Sequence, residues 1–164
     1  MKTLILGMGN PILSDDGVGL HIARALEGRF AGTDVRTSAL IGLGLLDIVA
    51  GYDQVFVIDA IQEDGRHPPG TVVKLEAGEG ALHLFSSHGM HFFEILQLGK
   101  DVGIAVPEVA GVYGVAIGAD CPFGEELSPL LAQRQAGIVR QIAEDVGRGL
   151  KIPTDIGTLL DYQE

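Results

Sequence analysis

Residues 7–19 read GMGNPILSDDGVG and follow directly after a short apolar run at residues 3–6, TLIL. The apolar run is typical of a buried strand, and the apolar periodicity of residues 20–26 predicts a helix. A strand, a polar loop and a helix in this order bring the loop to the carboxyl edge of a sheet, where open α/β folds bind ligands. The stretch therefore predicts both an α/β fold and a binding loop.

The loop contains two adjacent carboxylates, Asp15 and Asp16. Loops accommodate such a pair more easily than a core, where each charge would need a partner. One alternative is structural: a tight turn followed by an aspartate that caps the N-terminus of the next helix. Capping uses only one of the two side chains, so the second carboxylate is a candidate for chemistry.

The composition indicates a single domain spanning residues 1–164, because a hydrophobic fraction of 46% is ample for one core. With 11 basic and 22 acidic residues the formal net charge is -11, which argues against nucleic acid or an anionic membrane as the main partner. A single cysteine excludes an internal disulfide framework. No apolar stretch is long enough for a signal peptide or a membrane helix, so we expect a cytoplasmic protein.

The rest of the chain alternates between strand-like and helix-like segments. Strands are predicted over 34–39, 54–61, 71–75 and 106–117. Helices are predicted over 42–50, from His88 onward and over 124–150, where Ser128-Pro129 is a helix start signal. This alternation is the pattern of a mostly parallel sheet with helices on both faces. The segment 71–75 follows its neighbour so closely that it predicts either a hairpin or an antiparallel edge strand.

The predicted topology brings two distant carboxylates together. Right-handed crossovers allow the first and third strands to be neighbours, with the second strand outside the first. This order creates a switch point between strands one and three, and Asp16 follows the first while Asp59 ends the third. A carboxylate at the end of a fully buried strand is costly unless it faces a cleft or a cation. We therefore expect Asp16 and Asp59 to meet at one crevice.

Asp16 and Asp59 together with a histidine would provide two oxygen ligands and one nitrogen ligand. Such a set suits Zn²⁺, Ni²⁺, Mn²⁺ or Fe²⁺ and is not selective for metals that prefer thiolates. His88, which begins a helical pattern after two serines, is the best third ligand. A histidine at a junction between a loop and a helix is otherwise a surface or capping residue, and its two acidic companions are what favour the metal hypothesis.

Three other patterns leave alternatives open. His88, His91 and Glu94 share one helix face, which indicates either a second metal constellation or a polar stripe that supports the first site. Cys121 would be a nucleophile only with an orienting histidine, and a lone cysteine is more often a packing residue. The first two glycines of a dinucleotide fingerprint are present, but Ile12 replaces the third and the two aspartates would repel a pyrophosphate.

Four motifs occur in a fixed order along the chain. Residues 7–19 match the pattern GxGNxxxxD(D/E)GxG, and a hydrophobic strand ends in Asp59-Ala60. Ser86-Ser87-His88 precedes a predicted helix, and Leu127-Ser128-Pro129 follows the last strand. Together these motifs resemble those of the maturation endopeptidases of [NiFe] hydrogenases, and the resemblance covers essentially the whole chain. The first motif is specific, and the other three gain weight from their order.

The resemblance implies a three-layer αβα sandwich on a twisted, mostly parallel five-stranded sheet with one antiparallel strand. It also implies the reaction: an aspartic-type endopeptidase removes a C-terminal extension from a hydrogenase large-subunit precursor after nickel insertion. Asp16, Asp59 and His88 take the positions of the family's metal-contacting and catalytic triad, in which the first ligand is often Glu. The nickel is supplied by the substrate, so the isolated protein is expected to be metal-free.

Three further residues are expected to contact the substrate. Asn10 lies in the loop with the two aspartates, and Gly42 and Gly44 on the facing loop would let the substrate backbone approach closely. The loop 38–44 lacks the acidic Asp-Gly-Gly-Thr pattern of some relatives, which leaves open which hydrogenase is processed. We expect a monomer. The alternative function is a nickel-sensing or chaperone module that binds the same precursor without hydrolysis.

Overall fold

The computed structural model describes residues 1–39, 42–75 and 87–151, with side chains described except at 87–91. Within these ranges the strands are β1 (Thr3–Met8), β2 (Thr33–Ser38), β3 (Gln54–Gln62), β4 (Val72–Leu75) and β5 (Glu108–Ile117). The helices are α1 (Val18–Ala25), α2 (Gly44–Val49), α3 (Ser87–Asp101) and α4 (Pro129–Gly149), and a 3-10 turn covers Ser14–Gly17. No helix in the described ranges is both long and apolar enough to cross a bilayer.

The strands form one sheet in the order β2-β1-β3-β5-β4, with parallel pairing except between β4 and β5. The predicted neighbours β1 and β3 are adjacent, and β2 lies outside β1, so the expected switch point is present. β4 pairs antiparallel with β5, which makes the edge-strand prediction correct and the hairpin prediction wrong. The mostly parallel sheet with flanking helices confirms the predicted fold class.

Apolar side chains cover both faces of the sheet. One cluster joins the strands to α2 and α3 through residues such as Leu45 and Phe92, and the other joins them to α1 and α4 through residues such as Ile22 and Ile142. β3 runs through the middle of the sheet and is buried over residues 55–61. Because both of its faces are covered, its sequence is a continuous apolar run and not an alternating one.

Two helices begin later than the sequence predicts. Leu43 precedes α2 and is 62% exposed, although the helical pattern places it on the apolar face. α4 begins at Pro129 and not near residue 124, and Leu130 in its first turn is 42% exposed. Ser128 sets this start, because its side-chain oxygen accepts a backbone N–H of the first turn at 3.4 Å and proline suits the position after it.

Candidate functional site

Two close backbone approaches fold the carboxylate loop, residues 9–17, on itself and bring the first turn of α1 against β1 and β3. A Cβ atom on Gly9, whose φ is +153°, would lie 2.3 Å from the carbonyl oxygen of Asp16. A Cβ atom on Gly19 would lie 2.4 Å from the Met8 carbonyl oxygen and 2.5 Å from that of Ile58. Because only glycine fits at either position, these glycines place the loop and the first turn of α1 directly on the switch point.

Asp16 is half-buried in the 3-10 turn, and hydrogen bonds within the loop orient it. Its Oδ2 accepts the backbone N–H of Asn10 at 3.1 Å, and its own N–H donates to the Leu13 carbonyl at 3.0 Å. Helix α1 has no side-chain cap hydrogen bond. The alternative that one of the two aspartates caps α1 is therefore wrong.

Asp59 lies where β1 and β3 separate. The two strands pair up to Gly7 and Ile58, and Asp59 is the next residue along β3. Its side chain is 1% exposed, and its Oδ1 accepts the N–H of Ala60 at 2.8 Å. A carboxylate this deeply buried needs hydrogen-bond donors or a cation to offset its lost hydration. Since the 3-10 turn also packs against β3, the structure brings Asp16 and Asp59 to the same edge of the sheet.

His88 lies in the first turn of α3, as the helical pattern predicts, but its side chain is outside the described part of the structure. The same holds for His91, while Glu94 on the next turn is exposed. Among the residues with described side chains, no three histidine, cysteine or acidic residues form a group that could hold a metal ion. The third ligand, and the second constellation with His91 and Glu94, remain predictions.

Asp15 makes a different contact from its neighbour. It is 7% exposed, and its Oδ1 accepts the backbone N–H of Ser128 at 2.7 Å. Ser128 immediately precedes α4, so this aspartate binds the start of a helix 113 residues further along the chain. Sequence reasoning missed the contact, because its partner is a backbone N–H, which nearly every residue type carries.

Comparisons with known proteins agree with this fold and these motifs. The chain is 30% identical over 140 residues to the hydrogenase expression/formation protein HupD of Thiocapsa roseopersicina, a match that covers 81% of this chain and 62% of that protein. It is 34% identical over 82 residues to the hydrogenase 2 maturation protease of Escherichia coli strain K12, covering 48% of this chain and 49% of that protein. No protein-family model matches the chain.

Solved structures extend the similarity over most of the chain. The [NiFe] hydrogenase maturation protease HybD from Thermococcus kodakarensis is 28% identical with a TM-score of 0.67, over 89% of this chain and 99% of that one. The chain is similar to hydrogenase maturation proteases in sequence and in fold. The hydrogenase maturating endopeptidase HybD from E. coli, 24% identical with a TM-score of 0.73 over 90% and 93% of the two chains, shows the same fold. The sequence matches span 49% and 62% of the curated relatives' own lengths.

The residues predicted to contact substrate lie on the carboxylate loop and around the start of α2. Asn10 follows β1, and its Oδ1 accepts the backbone N–H two residues further on at 3.1 Å, which fixes the carboxylate loop. Gly42 has a φ of +80°, a conformation that favours glycine, and Gly44 begins α2. The N–H of Gly9 donates to the Ser38 carbonyl at 3.2 Å and so joins the end of β2 to the carboxylate loop. Contact with a substrate stays a prediction.

Cys121 lies beside Asp16, a proximity that sequence reasoning also missed. Burial is the main cause that raises the pKa of the Cys121 thiol; hydrogen bonding from the Asp16 backbone lowers it, and the charges of Asp16, Asp15 and Asp120 raise it further. The thiol is therefore protonated at neutral pH and is a poor nucleophile. Its contact with the apolar cluster beneath α1 and α4 supports the interpretation that Cys121 is a packing residue.

An apolar and acidic surface lies next to the carboxylate loop. Ile12 is 50% exposed and Phe123 is 86% exposed, and the Gly124 N–H donates to the Ile12 carbonyl at 3.0 Å, which joins their two segments. Three exposed acidic residues lie in the same segment as Phe123: Asp120, Glu125 and Glu126. Large apolar side chains exposed beside a candidate site are a feature of binding surfaces.

Proposed function

We propose that this chain is an endopeptidase that removes the C-terminal extension of a [NiFe]-hydrogenase large-subunit precursor after nickel has been inserted. The four motifs and the similarity to the hydrogenase 2 maturation protease of E. coli support the proposal. One observation carries it: the turn with Asp16 packs against β3, the strand with Asp59, beside the switch point of the sheet. We place the reaction in the cytoplasm.

The proposed site consists of Asp16, Asp59 and His88. Two carboxylates and one imidazole would give a set of oxygen and nitrogen ligands that Ni²⁺ accepts. The N–H of Asn10 orients Asp16, and the N–H of Ala60 orients Asp59. Hydrogen bonds of this kind to ligating carboxylates fix their direction and tune their affinity for a metal. The imidazole would approach from the first turn of α3.

In this proposal the nickel belongs to the substrate and is not a resident cofactor of the chain. A metal with an open coordination position polarises a carbonyl group or acidifies a water molecule. The three side chains would hold the precursor by its nickel and so bring the extension to the crevice. Cleavage then becomes conditional on nickel insertion, because a precursor without the metal offers nothing for the triad to hold.

The loops on either side would receive the peptide. Asn10 lies on the carboxylate loop, Gly42 lies before α2 and Gly44 begins that helix, and glycines without Cβ atoms would let an extended backbone approach there. Ile12 in the carboxylate loop and Phe123 in the segment bonded to it offer exposed apolar surface. A neutral or basic substrate segment would fit this surface best, because the chain as a whole carries a net charge of -11.

The test is cleavage of nickel-loaded precursor, followed by mass spectrometry of the large subunit. We expect the wild-type protein to shorten the precursor, and Asp16→Asn, Asp59→Asn and His88→Ala each to lower kcat/KM by more than about a hundredfold. Glu27→Gln, which removes an exposed charge beyond the end of α1, is the matched control and should cleave normally. Binding of the precursor with no change in its mass would instead identify the non-hydrolytic module.

A further inference from the structure

Asp15 connects two loops that lie far apart in the sequence. Its carboxylate is 7% exposed, and its Oδ1 accepts the backbone N–H of Ser128 at 2.7 Å. Ser128 ends the β5–α4 loop, residues 118–128, which joins the last strand to the last helix. The contact fastens the start of α4 to the 3-10 turn that carries Asp16.

Three further hydrogen bonds close the same junction. The Ser14 hydroxyl donates to the Pro122 carbonyl at 2.7 Å, and the Ser14 N–H donates to the Gly124 carbonyl at 2.8 Å. The Gly124 N–H donates in return to the Ile12 carbonyl at 3.0 Å. Ser14 has a φ of +45°, a conformation uncommon outside glycine, and these bonds hold it there. The carboxylate loop and the β5–α4 loop therefore form one hydrogen-bonded unit.

The position of Ser128 explains why the acceptor is a carboxylate. Ser128 is the N-cap of α4, a helix of 21 residues, and its Oγ accepts the N–H of Leu131 at 3.4 Å. The backbone N–H groups at the start of a helix carry a partial positive charge, so an anion placed there is stabilised. The carboxylate of Asp15 is thus engaged by the start of α4, whereas that of Asp16 accepts an N–H from its own loop.

We infer that Asp15 is a positioning residue for the proposed peptidase site: its contact with Ser128 sets the β5–α4 loop against Asp16. The inference rests on the proposed function. The β5–α4 loop carries Phe123, whose side chain is 86% exposed, so the placement of the loop decides where this apolar group meets the precursor. Asp15 acts through the loop and does not contact the nickel, although it is the direct neighbour of a proposed ligand.

Replacing the carboxylate of Asp15 by a carboxamide distinguishes a positioning residue from a nickel ligand. Asp15→Asn keeps an oxygen that accepts the Ser128 N–H, whereas Asp15→Ala removes it. We expect Asp15→Asn to cleave nickel-loaded precursor with a kcat/KM within about threefold of wild type. Asp15→Ala should raise KM by about tenfold with little change in kcat, the order expected for one lost hydrogen bond to a charged group. Asp16→Asn makes the same exchange one residue further on and should lose about a hundredfold or more.

Hydrogen exchange provides a readout that needs no substrate. We expect the amides of the β5–α4 loop, that of Ser128 above all, to exchange at least about tenfold faster in Asp15→Ala than in wild type. In Asp15→Asn they should exchange at close to the wild-type rate, because the acceptor is retained. Glu126→Ala removes an exposed acid from the same loop and controls for the loss of one charge; its exchange should match wild type.

Two results would overturn the inference. An Asp15→Asn variant as inactive as Asp16→Asn would assign Asp15 to the nickel, and unchanged loop exchange with unchanged KM in Asp15→Ala would remove its positioning role. If Asp15→Ala does not fold, hydrogen exchange in Asp15→Asn and cleavage by this variant still decide whether Asp15 positions the loop or binds the nickel. Failure of the proposed function has a different outcome: the wild-type protein then leaves the precursor mass unchanged, while the difference in loop exchange persists.

Discussion

At Gly19 the backbone of α1 touches the ends of two strands at once. A Cβ atom there would lie 2.4 Å and 2.5 Å from the carbonyl oxygens of Met8 and Ile58, so the strands or the helix must move to admit it. We expect Gly19→Ala to lower the free energy of unfolding by about 3 kcal/mol, at the upper end of the range for overpacked sites. Urea denaturation followed by far-UV circular dichroism measures this change.

Gly137 provides the matched control, because it lies within α4 and a Cβ atom on it would meet nothing within 4 Å. Gly137→Ala should raise the free energy of unfolding by about 0.5–1 kcal/mol, the ordinary gain from alanine in a helix. Similar effects of the two substitutions on the free energy of unfolding would show that the close approach at Gly19 does not determine how α1 packs on the two strands.

At the residue scale, the sequence predicts the surroundings of some side chains better than those of others. The position of Asp59 in a buried strand was predictable, because this residue lies within a nearly continuous apolar run. The partner of Asp15 was not, since it is a backbone N–H contributed from 113 residues away. The proximity of Cys121 to Asp16 was hidden for a related reason: it depends on the course of the β5–α4 loop, which no periodic pattern describes.

Among the elements, the edge strand β4 is tied to α4 by charged side chains. Lys74 Nζ lies 2.9 Å from Asp145 Oδ2, and Arg148 pairs with the same carboxylate from the next turn of the helix. Partial burial acts to raise the pKa of Asp145, but hydrogen bonds from Lys74 and Arg148, together with their positive charges, outweigh it and lower the pKa below its ordinary value of 3.8. The ionised carboxylate is therefore favoured in the folded state.

This lowered pKa predicts the pH dependence of the contact. A carboxyl whose pKa is lower in the folded than in the unfolded state stabilises the fold fully above the unfolded value and loses that contribution as the pH falls through the folded value. Asp145→Asn should therefore lower the free energy of unfolding by about 1 kcal/mol at pH 7 and by progressively less below pH 3.8. Urea denaturation at pH 7, 4 and 2.5 tests this, with the neighbouring Glu144→Gln as control. A difference that is constant over the whole pH range would rule out the ion pair as its cause.

At the scale of elements, periodicity identified the strands and helices but not all of their partners. The segment at β4 was recognised as a strand, yet its pairing with β5 is set by which edge of the sheet is left open, a property of the whole topology. The starts of α2 and α4 were placed too early by periodicity, because Leu43 and Leu127 continue the apolar spacing although both precede their helices. The local signal of Ser128-Pro129 located the start of α4 more accurately than periodicity did.

The molecule as a whole carries its candidate site at a place that strand order alone predicts. Once β1 and β3 are neighbours and β2 lies outside β1, the chain diverges after their paired segment at one edge of the sheet. Asp16 lies in the loop after β1, and Asp59 lies within β3 directly past its last pairing with β1. The third ligand has no such constraint. His88 is placed on α3 by the helical pattern, but the approach of a helix to a sheet edge depends on packing and not on strand order. The fold and two of the three proposed ligands are thus encoded in patterns that the sequence displays.

Metal removal distinguishes a resident nickel from one that arrives with the substrate. The carboxylates of Asp16 and Asp59 already accept backbone N–H groups, at 3.1 Å and 2.8 Å. Because these hydrogen bonds compete with a metal ion for the carboxylate oxygens, we expect the site to bind a free ion less well than a nickel ion held by the precursor. We therefore expect prior treatment of the isolated chain with a chelator, followed by its removal, to leave the rate of precursor cleavage unchanged within about twofold. Precursor stripped of nickel should not be shortened at all, and reloading it with nickel should restore cleavage. Loss of activity on chelation of the enzyme, with recovery on adding Ni²⁺ to the enzyme alone, would instead make the metal a resident cofactor of this chain.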